Sequence, residues 1–373
     1  MNDPLEPLDL GRLKVYPLEQ RRSLSRIEQI LIDPSSAPPR LDSPQLAAIR
    51  ACADRMRRAR GLGAALLLIY GAHLIKNGGQ LLINQLIDQG WLTHLATNGA
   101  GAIHDWEFAW LGRSTESVRA NVATGTFGTW DETGRSLQLA LLAGGLKSEG
   151  YGAALGRFIL DDGVTLPEPG AIEEELRRDP SHPLAPARAE LLAAMRRHRL
   201  SPGRHSMVHR WRNSSVLARA AERQIPLTVH PGIGYDIVSN HPLFNGAAIG
   251  RAAEIDFRLF GATVERLDHG VVLSVGSAIM GPQVFEKSLS CVNNLRLRAG
   301  RPIVKDHSIC VVDIQDGGNW DWSKGEPATD NPAYYLRFCK SYARMGGGLQ
   351  YIRCDNVAFL HHLSAALEVP AGA

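Results

Sequence analysis

Short apolar runs alternate with amphipathic segments through most of the chain. Residues 64–70 are almost wholly apolar and end at Gly71, a pattern typical of a parallel strand that is covered on both faces. Leucine and glutamine residues then recur at helical spacing over 81–89, and residues 91–97 predict a second short strand. Together these segments form a strand–helix–strand unit of about thirty residues.

The same alternation continues to the end of the chain. Further strands are expected at 225–229, 271–275, 309–314 and 350–353. Helices are expected at 43–61, 114–122, 132–148, 171–178, 185–199, 214–224, 247–267, 282–297, 332–345 and 356–367. Strands that alternate with helices are the signature of a parallel sheet with right-handed crossovers. The sequence therefore predicts an α/β fold with one doubly wound, mostly parallel sheet and helices on both faces.

Two segments differ in character from this pattern. Residues 1–42 contain six prolines around one apolar patch at 27–32, which predicts an N-terminal arm lying over the domain or over a neighbouring subunit, with disorder as the alternative. Residues 161–204 are rich in proline, glutamate and arginine and predict a solvated helical insertion. Residues 43–373 are otherwise expected to form a single domain.

Composition and charge narrow the class of protein. The 41 basic and 38 acidic residues nearly balance, which argues against a nucleic-acid partner. The five cysteines are widely spaced, without a Cys-x-x-Cys pair, as expected of reduced core thiols. Residues 1–22 lack the basic and apolar regions of a signal peptide, and no apolar run is long enough to span a bilayer. We therefore expect a cytoplasmic protein without a membrane partner.

Ligands of an open parallel sheet bind where strands end, so the turns after strands are the informative ones. The first such turn, 71–79, contains three glycines that could let the backbone approach a phosphate, and Lys76 could add a charge. It matches neither the Walker A nor the G-x-G-x-x-G pattern, and a plain tight turn is the alternative.

The second turn, 97–107, combines small residues with three titratable side chains. His104 can exchange protons near neutral pH, while Asp105 and Glu107 can cap the helix or orient a ligand hydroxyl. A capped helix with a structural histidine is the alternative.

The third turn follows the strand at 225–229 and holds His230 and Asp236 in a glycine loop, with His241 and Asn245 beyond it. His230 and Asp236 could form an acid–base pair. They could also bind a metal, but no further ligand has diagnostic spacing, so no metal is expected.

Two later turns complete the candidates. Residues 276–281 are small and follow the strand at 271–275, so they could cradle a phosphate. Residues 316–322 place Trp320 beside carboxylates, which suits a cationic or nicotinamide-like ligand, although surface packing is a commoner use of tryptophan.

With these turns in view, the chain resembles deoxyhypusine synthase, a tetrameric NAD-dependent transferase of Rossmann-like fold. Residues 72–78 look like the family's Ser-Asn-Leu-Ile-Ser-Ser-Gly, and residues 97–105 look like its Thr-Thr-Ala-Gly-Gly-Val-Glu-Glu-Asp at the same interval. Residues 215–226 and 232–236 are similar to a later helix, strand and loop of the family. Asp355 resembles the acid that family members place against the adenine. The resemblance implies NAD as cofactor and a homo-oligomer, a tetramer or a dimer.

The chain departs from the family at three positions. Ile103 and His104 stand where the family has two glutamates, and Met280 stands where the family has the lysine that forms an imine. A thioether cannot form a Schiff base. We therefore expect an NAD-dependent enzyme that oxidises an amine or alcohol carbon transiently. The alternatives are a deoxyhypusine- or homospermidine-type aminobutyl transferase that uses Lys76 or Lys287, and a non-catalytic dinucleotide-binding protein.

These inferences give three sets of candidate residues. The catalytic set is His104, His230, Asp236 and Lys76. The cofactor-binding set is His73, Asn77, Gly78, Thr97, Asn98, Gly99, Gly101, Asp105, Gly276, Ser277 and Asp355. The substrate-binding set is Glu107, Tyr235, His241, Asn245, Asn319, Trp320 and Asp321.

Overall fold

The structure is a computed structural model that describes residues 5–368. Its strands are β1 Ser25–Arg26, β2 Leu66–Tyr70, β3 His94–Asn98, β4 Arg113–Ser114, β5 Gly163–Leu166, β6 Gly203–Ser206, β7 Leu227–His230, β8 Val271–Val275, β9 Ser308–Asp313 and β10 Gly348–Arg353. Its α-helices are α1 Ile27–Ile30, α2 Ser43–Gly61, α3 Ala72–Lys76, α4 Gln80–Asp88, α5 Gly99–Leu111, α6 Val118–Ala123, α7 Asp131–Gly145, α8 Tyr151–Leu160, α9 Pro169–Arg178, α10 Ala185–His198, α11 Val216–Glu222, α12 Gly246–Val264, α13 Met280–Arg298, α14 Arg337–Ala343 and α15 Asn356–Glu368. Short 3-10 helices lie at Leu10–Arg12, Leu18–Gln20, Arg212–Ser214, Ile237–Ser239, Trp322–Lys324 and Pro332–Tyr335.

Six strands form one parallel sheet in the spatial order β10-β9-β8-β2-β3-β7. Numbered by their position along the chain, these strands follow the order 3-2-1-4-5-6 read from the β7 edge, which is the order of the doubly wound dinucleotide-binding fold. The predicted Rossmann-like parallel sheet is therefore confirmed. Strands β3 and β7 are added on one side of β2, and β8, β9 and β10 are added on the other side. The direction in which strands are added therefore reverses between β2 and β8, and the ligand crevice of this fold lies beyond the ends of these two strands.

Alternate side chains of each strand enter two separate cores, because successive residues of a strand point to opposite faces. In β2, Leu66, Leu68 and Tyr70 join the larger core, which also contains α2, α4, α5, α11 and α15. Leu67 and Ile69 face the smaller core with α13, α14 and the end of α12. Every residue of β2 is buried, which explains why its sequence reads as a continuous apolar run.

Several predicted elements have different bounds in the structure. The helix predicted at 114–122 begins at Val118, because Ser114 belongs to the short strand β4. The helix predicted at 332–345 is a 3-10 turn followed by α14. Helix α2 starts at Ser43 as expected, and its N-cap is Asp42, whose carboxylate accepts a hydrogen bond from the Gln45 backbone.

The N-terminal segment lies across the carboxyl end of its own sheet. Leu18 and Ile27 are completely buried in the larger core. Strand β1 pairs antiparallel with β4, with Ser25 opposite Ser114. Farther along the chain, α9 and α10 lie between the paired strands β5 and β6, and Leu191 of α10 is buried in the larger core. Within residues 5–368 no helix has the length and apolar character needed to cross a bilayer.

Candidate functional site

A pocket of about 230 Å³ lies at the carboxyl ends of β2, β3 and β7. It brings together five of the residues that the sequence singled out, from three different turns: Lys76, His104, Glu107, Tyr235 and Asp236. The rest of its wall is formed by Arg21, Ala100, Ile103, Thr115, Glu116, Val118, Phe127 and Ile237. A cluster of titratable side chains with an apolar wall is the usual composition of a small-molecule site.

Four polar side chains are joined by hydrogen bonds along one side of the pocket. His104 Nδ1 lies 2.7 Å from Ser114 Oγ, and that hydroxyl donates a hydrogen bond to Glu107. The carboxylate of Glu107 is held by both terminal nitrogens of Arg21, at 2.8 and 2.7 Å. Thr133 Oγ1 donates a further hydrogen bond of 2.9 Å to Glu107 Oε1. We call His104, Ser114, Glu107 and Arg21 the relay.

Burial and neighbouring charges set the protonation states in the relay. Burial lowers the pKa of His104 to about 4, against the opposite effect of the Glu107 charge and with smaller lowering by the charges of Lys76 and Arg21. Burial alone would raise the pKa of Glu107, but the charge and hydrogen bonds of Arg21, together with His104 and the hydrogen bond from Ser114, leave that pKa below its usual value. At neutral pH the relay therefore contains a neutral imidazole and an ionised carboxylate.

Asp236 forms the opposite side of the pocket. Only 5% of its surface is exposed, and its Oδ2 accepts a 2.7 Å hydrogen bond from the backbone nitrogen of Gly232. Burial raises the pKa of Asp236 to about 6, so this carboxyl group can change its charge close to neutral pH. Tyr235 stands at the mouth of the pocket with 72% of its surface exposed.

Lys76 lies in the last turn of α3 and lines the pocket near His104. It forms no ion pair with any side chain among residues 5–368. A cation without an acidic partner at the edge of a pocket is suited to bind an anionic group of a ligand.

The crevice between β2 and β8 shares the carboxyl end of β2 with this pocket, and two glycines meet in it. A Cβ built on Gly71 would stand 2.0 Å from the carbonyl oxygen of Gly276, so the turns after these strands touch. Gly276 has a φ of 61°, a left-handed conformation that glycine adopts at low cost. Helix α13 follows and has 19 residues. Its N-cap residue, Ile279, has an apolar side chain that makes no capping hydrogen bond.

Residues 276–281 have the spacing of the dinucleotide fingerprint. Gly276, Ala278 and Gly281 occupy the glycine positions of G-x-G-x-x-G, with alanine at the second position. A Cβ on Gly281 would meet Ile69 at 3.0 Å, so this glycine allows close packing of the helix on the strand, as the third glycine of the fingerprint does. The next strand, β9, ends at the buried Asp313. The alanine at the second position concealed this similarity in the sequence.

Two predicted cofactor-binding residues have structural contacts instead. Asp105 is 1% exposed, and its carboxylate accepts hydrogen bonds from Ser215 Oγ and the backbone nitrogens of Val216 and Leu217. It therefore anchors the first turn of α11 behind the pocket. Gly78 is covered by the N-terminal segment, since a Cβ on it would stand 1.8 Å from the carbonyl oxygen of Ile30.

Two predicted histidines lie outside the pocket. His230 Nε2 is 3.1 Å from Thr228 Oγ1, which also contacts His94, and burial lowers the pKa of His230 to about 4. His241 is 4% exposed and contacts Asp131 at 3.3 Å. The structure therefore pairs Asp236 with the His104 side of the pocket and not with His230.

Most of the other candidates hold turns and helix ends. Asn98, Asn245 and Asp355 cap α5, α12 and α15 through hydrogen bonds to backbone nitrogens. Thr97 donates to the carbonyl oxygen of Tyr70, and Gly101 packs against Thr97. The remaining positions are the exposed His73 and Asn77 on and after α3, Gly99 beneath Asp236, Ser277 whose hydroxyl accepts from Gly281, and the loop residues Asn319, Trp320 and Asp321 beyond β9.

Sequence reasoning missed four polar residues of the site, Arg21, Ser114, Thr115 and Glu116. Arg21 is 86 positions away from Glu107 along the chain, and no spacing rule joins residues so far apart. Ser114 was assigned to a helix. Arg21 is one of five arginines in residues 1–42, so the sequence contains no signal that singles it out.

Comparisons with known proteins find distant likeness in structure alone. No protein-family model and no curated protein matches the chain. The chain is similar to the ternary complex of AgrE with ornithine and NAD+, at 15% identity and a TM-score of 0.42, over 88% of this chain and 34% of AgrE. It is similar to a conserved putative LOR/SDH protein from Methanococcus maripaludis S2, at 16% identity and a TM-score of 0.41, over 89% and 73% of the two chains. A putative deoxyhypusine synthase from Entamoeba histolytica has 10% identity and a TM-score of 0.36, over 87% and 88%. The chain spans about a third of the length of AgrE.

Proposed function

We propose that this protein is an NAD-dependent enzyme that oxidises an amine- or alcohol-bearing carbon of a small molecule transiently. The observation that carries the proposal is the meeting of two glycine turns at the reversal point of the sheet, beside the N-terminus of a 19-residue helix whose N-cap residue makes no side-chain cap. Free backbone N–H groups and the helix dipole favour a pyrophosphate at that position. The pocket around His104 lies next to it and supplies the acid–base groups.

The residues of the crevice fit a dinucleotide. The backbone of residues 276–281 would hold the pyrophosphate at the start of α13, where Gly276 and Ala278 leave the backbone accessible. Asp313, at the end of the adjacent strand β9, stands where dinucleotide-binding folds place the acid that accepts hydrogen bonds from a ribose. When bound, NAD would accept a hydride from the substrate carbon and return it later.

The pocket residues would bind the substrate and manage its proton. Neutral His104 is suited to accept a proton from the hydroxyl or amine group as the carbon loses its hydride. Lys76 would hold an anionic group of the substrate, because it has no acidic partner in the described structure. Asp236 would contact the substrate from the opposite wall.

Calorimetric titration with NAD+ tests the proposal, with one variant in the crevice and one matched control. Ile279 is 73% exposed at the start of α13, and Leu295 is 62% exposed near the end of the same helix. The substitution Ile279→Glu adds a negative charge that suits the helix dipole but repels a pyrophosphate, so stability should hold while affinity falls about tenfold or more. Leu295→Glu should bind NAD+ like the wild type. Absence of NAD+ binding to the wild type would reject the proposal.

The aminobutyl transferase reaction is a second candidate, favoured by the position of Lys76 in the pocket. Lys287 does not fit that role, since it is 61% exposed on α13 and paired with Glu286 at 2.7 Å. Borohydride reduction in the presence of spermidine and NAD+ should trap the substrate on Lys76 if that lysine forms an imine. Trapping that is lost in Lys76→Arg would support the transferase, and no trapping would leave the transient oxidation. NAD+ binding without turnover of any amine or alcohol would indicate the non-catalytic alternative.

A further inference from the structure

We propose that Arg21, in the N-terminal segment, is a positioning residue that fixes which nitrogen of His104 carries the proton. It acts through Glu107 and Ser114, and it leaves the lone pair of His104 Nε2 free on the pocket side. The part played by His104 as a base rests on the proposed function, whereas the control of its proton by Arg21 follows from the hydrogen bonds alone.

The direction of the hydrogen bonds in the relay is determined by its carboxylate. Ionised Glu107 can only accept, so the single proton of Ser114 must point to it. The other contact of Ser114 Oγ, at 2.7 Å from His104 Nδ1, must then be one in which the imidazole donates. A neutral imidazole that carries its proton on Nδ1 has an unprotonated Nε2. The pocket therefore receives the basic nitrogen.

Arg21 is the residue that keeps Glu107 ionised. The side chains of both residues are 1% exposed, and two parallel hydrogen bonds join them. The other nearby donors, Ser114 and Thr133, are neutral hydroxyls. A buried carboxylate without a cationic partner takes up a proton more readily. Protonated Glu107 could donate to Ser114, Ser114 could then donate to Nδ1, and the proton of His104 would move to Nε2.

The segment that carries Arg21 is built into this site on both sides. Leu18 and Ile27 anchor it in the larger core, three residues before and six residues after Arg21. Between Arg21 and Ile27, strand β1 pairs with β4, so Ser25 lies opposite Ser114. The same segment therefore places the guanidinium group and aligns the strand that carries the relay hydroxyl. The N-terminal segment therefore contributes to the site through Arg21 and through the pairing of β1 with β4, and does more than cover the sheet.

Nitrogen-15 NMR of the histidine side chains tests the proposal without cofactor or substrate. Wild-type His104 should show a protonated Nδ1 and an unprotonated Nε2 at pH 7. In Arg21→Gln the two nitrogens should exchange these signatures, and Arg21→Lys should restore the wild-type pattern because the positive charge returns. Thr133→Val removes a neutral donor to the same carboxylate and should leave the pattern unchanged.

A double variant keeps the test decisive if Arg21→Gln does not fold, because the loss of one partner leaves a buried charge unpaired. Replacing both partners, as Arg21→Met with Glu107→Leu, removes the ion pair without leaving a lone charge. Ser114 then has no carboxylate to donate to and should donate to His104, with the proton on Nε2. Persistence of the Nδ1-protonated form in either variant would overturn the proposal. A failure of NAD+ to bind would not change this result, so the two proposals can fail separately.

Discussion

The carboxylate of Asp236 lies against the α-carbon of Gly99, so closely that a Cβ built on Gly99 would stand 2.1 Å from Asp236 Oδ2. The two residues belong to the turns after β7 and β3 and meet at the start of α5. The φ of Gly99 lies outside the left-handed region, so its backbone conformation does not require glycine. The close approach of the Asp236 carboxylate does. The contact positions Asp236 at the wall of the pocket.

The substitution Gly99→Ala should reduce stability, although alanine is the better helix former. The added methyl group displaces the carboxylate or the first turn of α5, at an expected cost of about 1–3 kcal/mol. Gly261 in α12 is the matched control, because a Cβ there meets nothing within 4 Å. Gly261→Ala should gain about 0.5–1 kcal/mol. Urea unfolding measures the free energy of unfolding of both variants. An equal gain in stability in both would contradict the role of the contact between Gly99 and Asp236.

Asp105→Ala should unfold the protein more easily without loss of cofactor affinity in the folded molecules. The change leaves Ser215 Oγ and two buried backbone N–H groups without their acceptor, at an expected cost of about 3 kcal/mol or more. Asp355→Ala removes an exposed cap of α15 and should cost about 1 kcal/mol. Denaturation gives the first quantity and titration with NAD+ the second. Reduced affinity in stable Asp105→Ala protein would instead support a direct contact with the cofactor.

The sequence predicted the sheet well because its evidence is local. Strand β2 is a buried apolar run, and the strand at 271–275 has the predicted bounds, because four of its five residues are apolar and all five are buried. The meeting of Lys76, His104 and Asp236 in one pocket also followed from a local rule. Parallel strands end at the same edge, so residues just after them converge.

The rest of the site depends on contacts that no local pattern records. Whether Asp105 or Glu107 faces the pocket depends on their positions around α5. Both carboxylates are buried, but Asp105 accepts a hydrogen bond from the backbone of Val216 and Glu107 accepts one from Arg21. Arg21 reaches Glu107 by tertiary packing of the N-terminal segment. The spacing of residues along the sequence predicts neither the orientation of α5 nor the contact of Arg21 with Glu107, because tertiary packing determines both.

The effect of Asp256→Asn on stability should depend on pH. Burial raises the pKa of Asp256 to about 7, although its Oδ2 accepts hydrogen bonds from the backbone nitrogens of Val229 and Gly152. The folded state therefore binds this proton more tightly than the unfolded state, and the resulting stability is full below pH ~4 and is lost as the pH rises through about 7. Asparagine does not titrate and can still accept the two hydrogen bonds. Relative to the wild type, the variant should gain up to about 4 kcal/mol between pH 4 and pH 8, at 1.36 kcal/mol per pKa unit. A pH-independent difference in urea unfolding would refute this.

The substitution Gly78→Ala should detach the N-terminal segment from the sheet. Gly78 has a φ of 83°, and a Cβ on it would stand 1.8 Å from the carbonyl oxygen of Ile30, where a backbone cannot move aside without displacing α1. Gly63 is the matched control, with a φ of 66° and open space around its α-carbon, so Gly63→Ala measures the conformational cost alone, about 1 kcal/mol. Limited proteolysis with trypsin reports the difference, because the backbone at the buried Arg21 and the exposed Arg22 and Arg26 can enter the protease only when the segment is released. Rapid cleavage at these arginines in Gly78→Ala, with slow cleavage in Gly63→Ala, is the expected result. Equal resistance in both variants would mean that the close contact at Gly78 does not hold the segment in place.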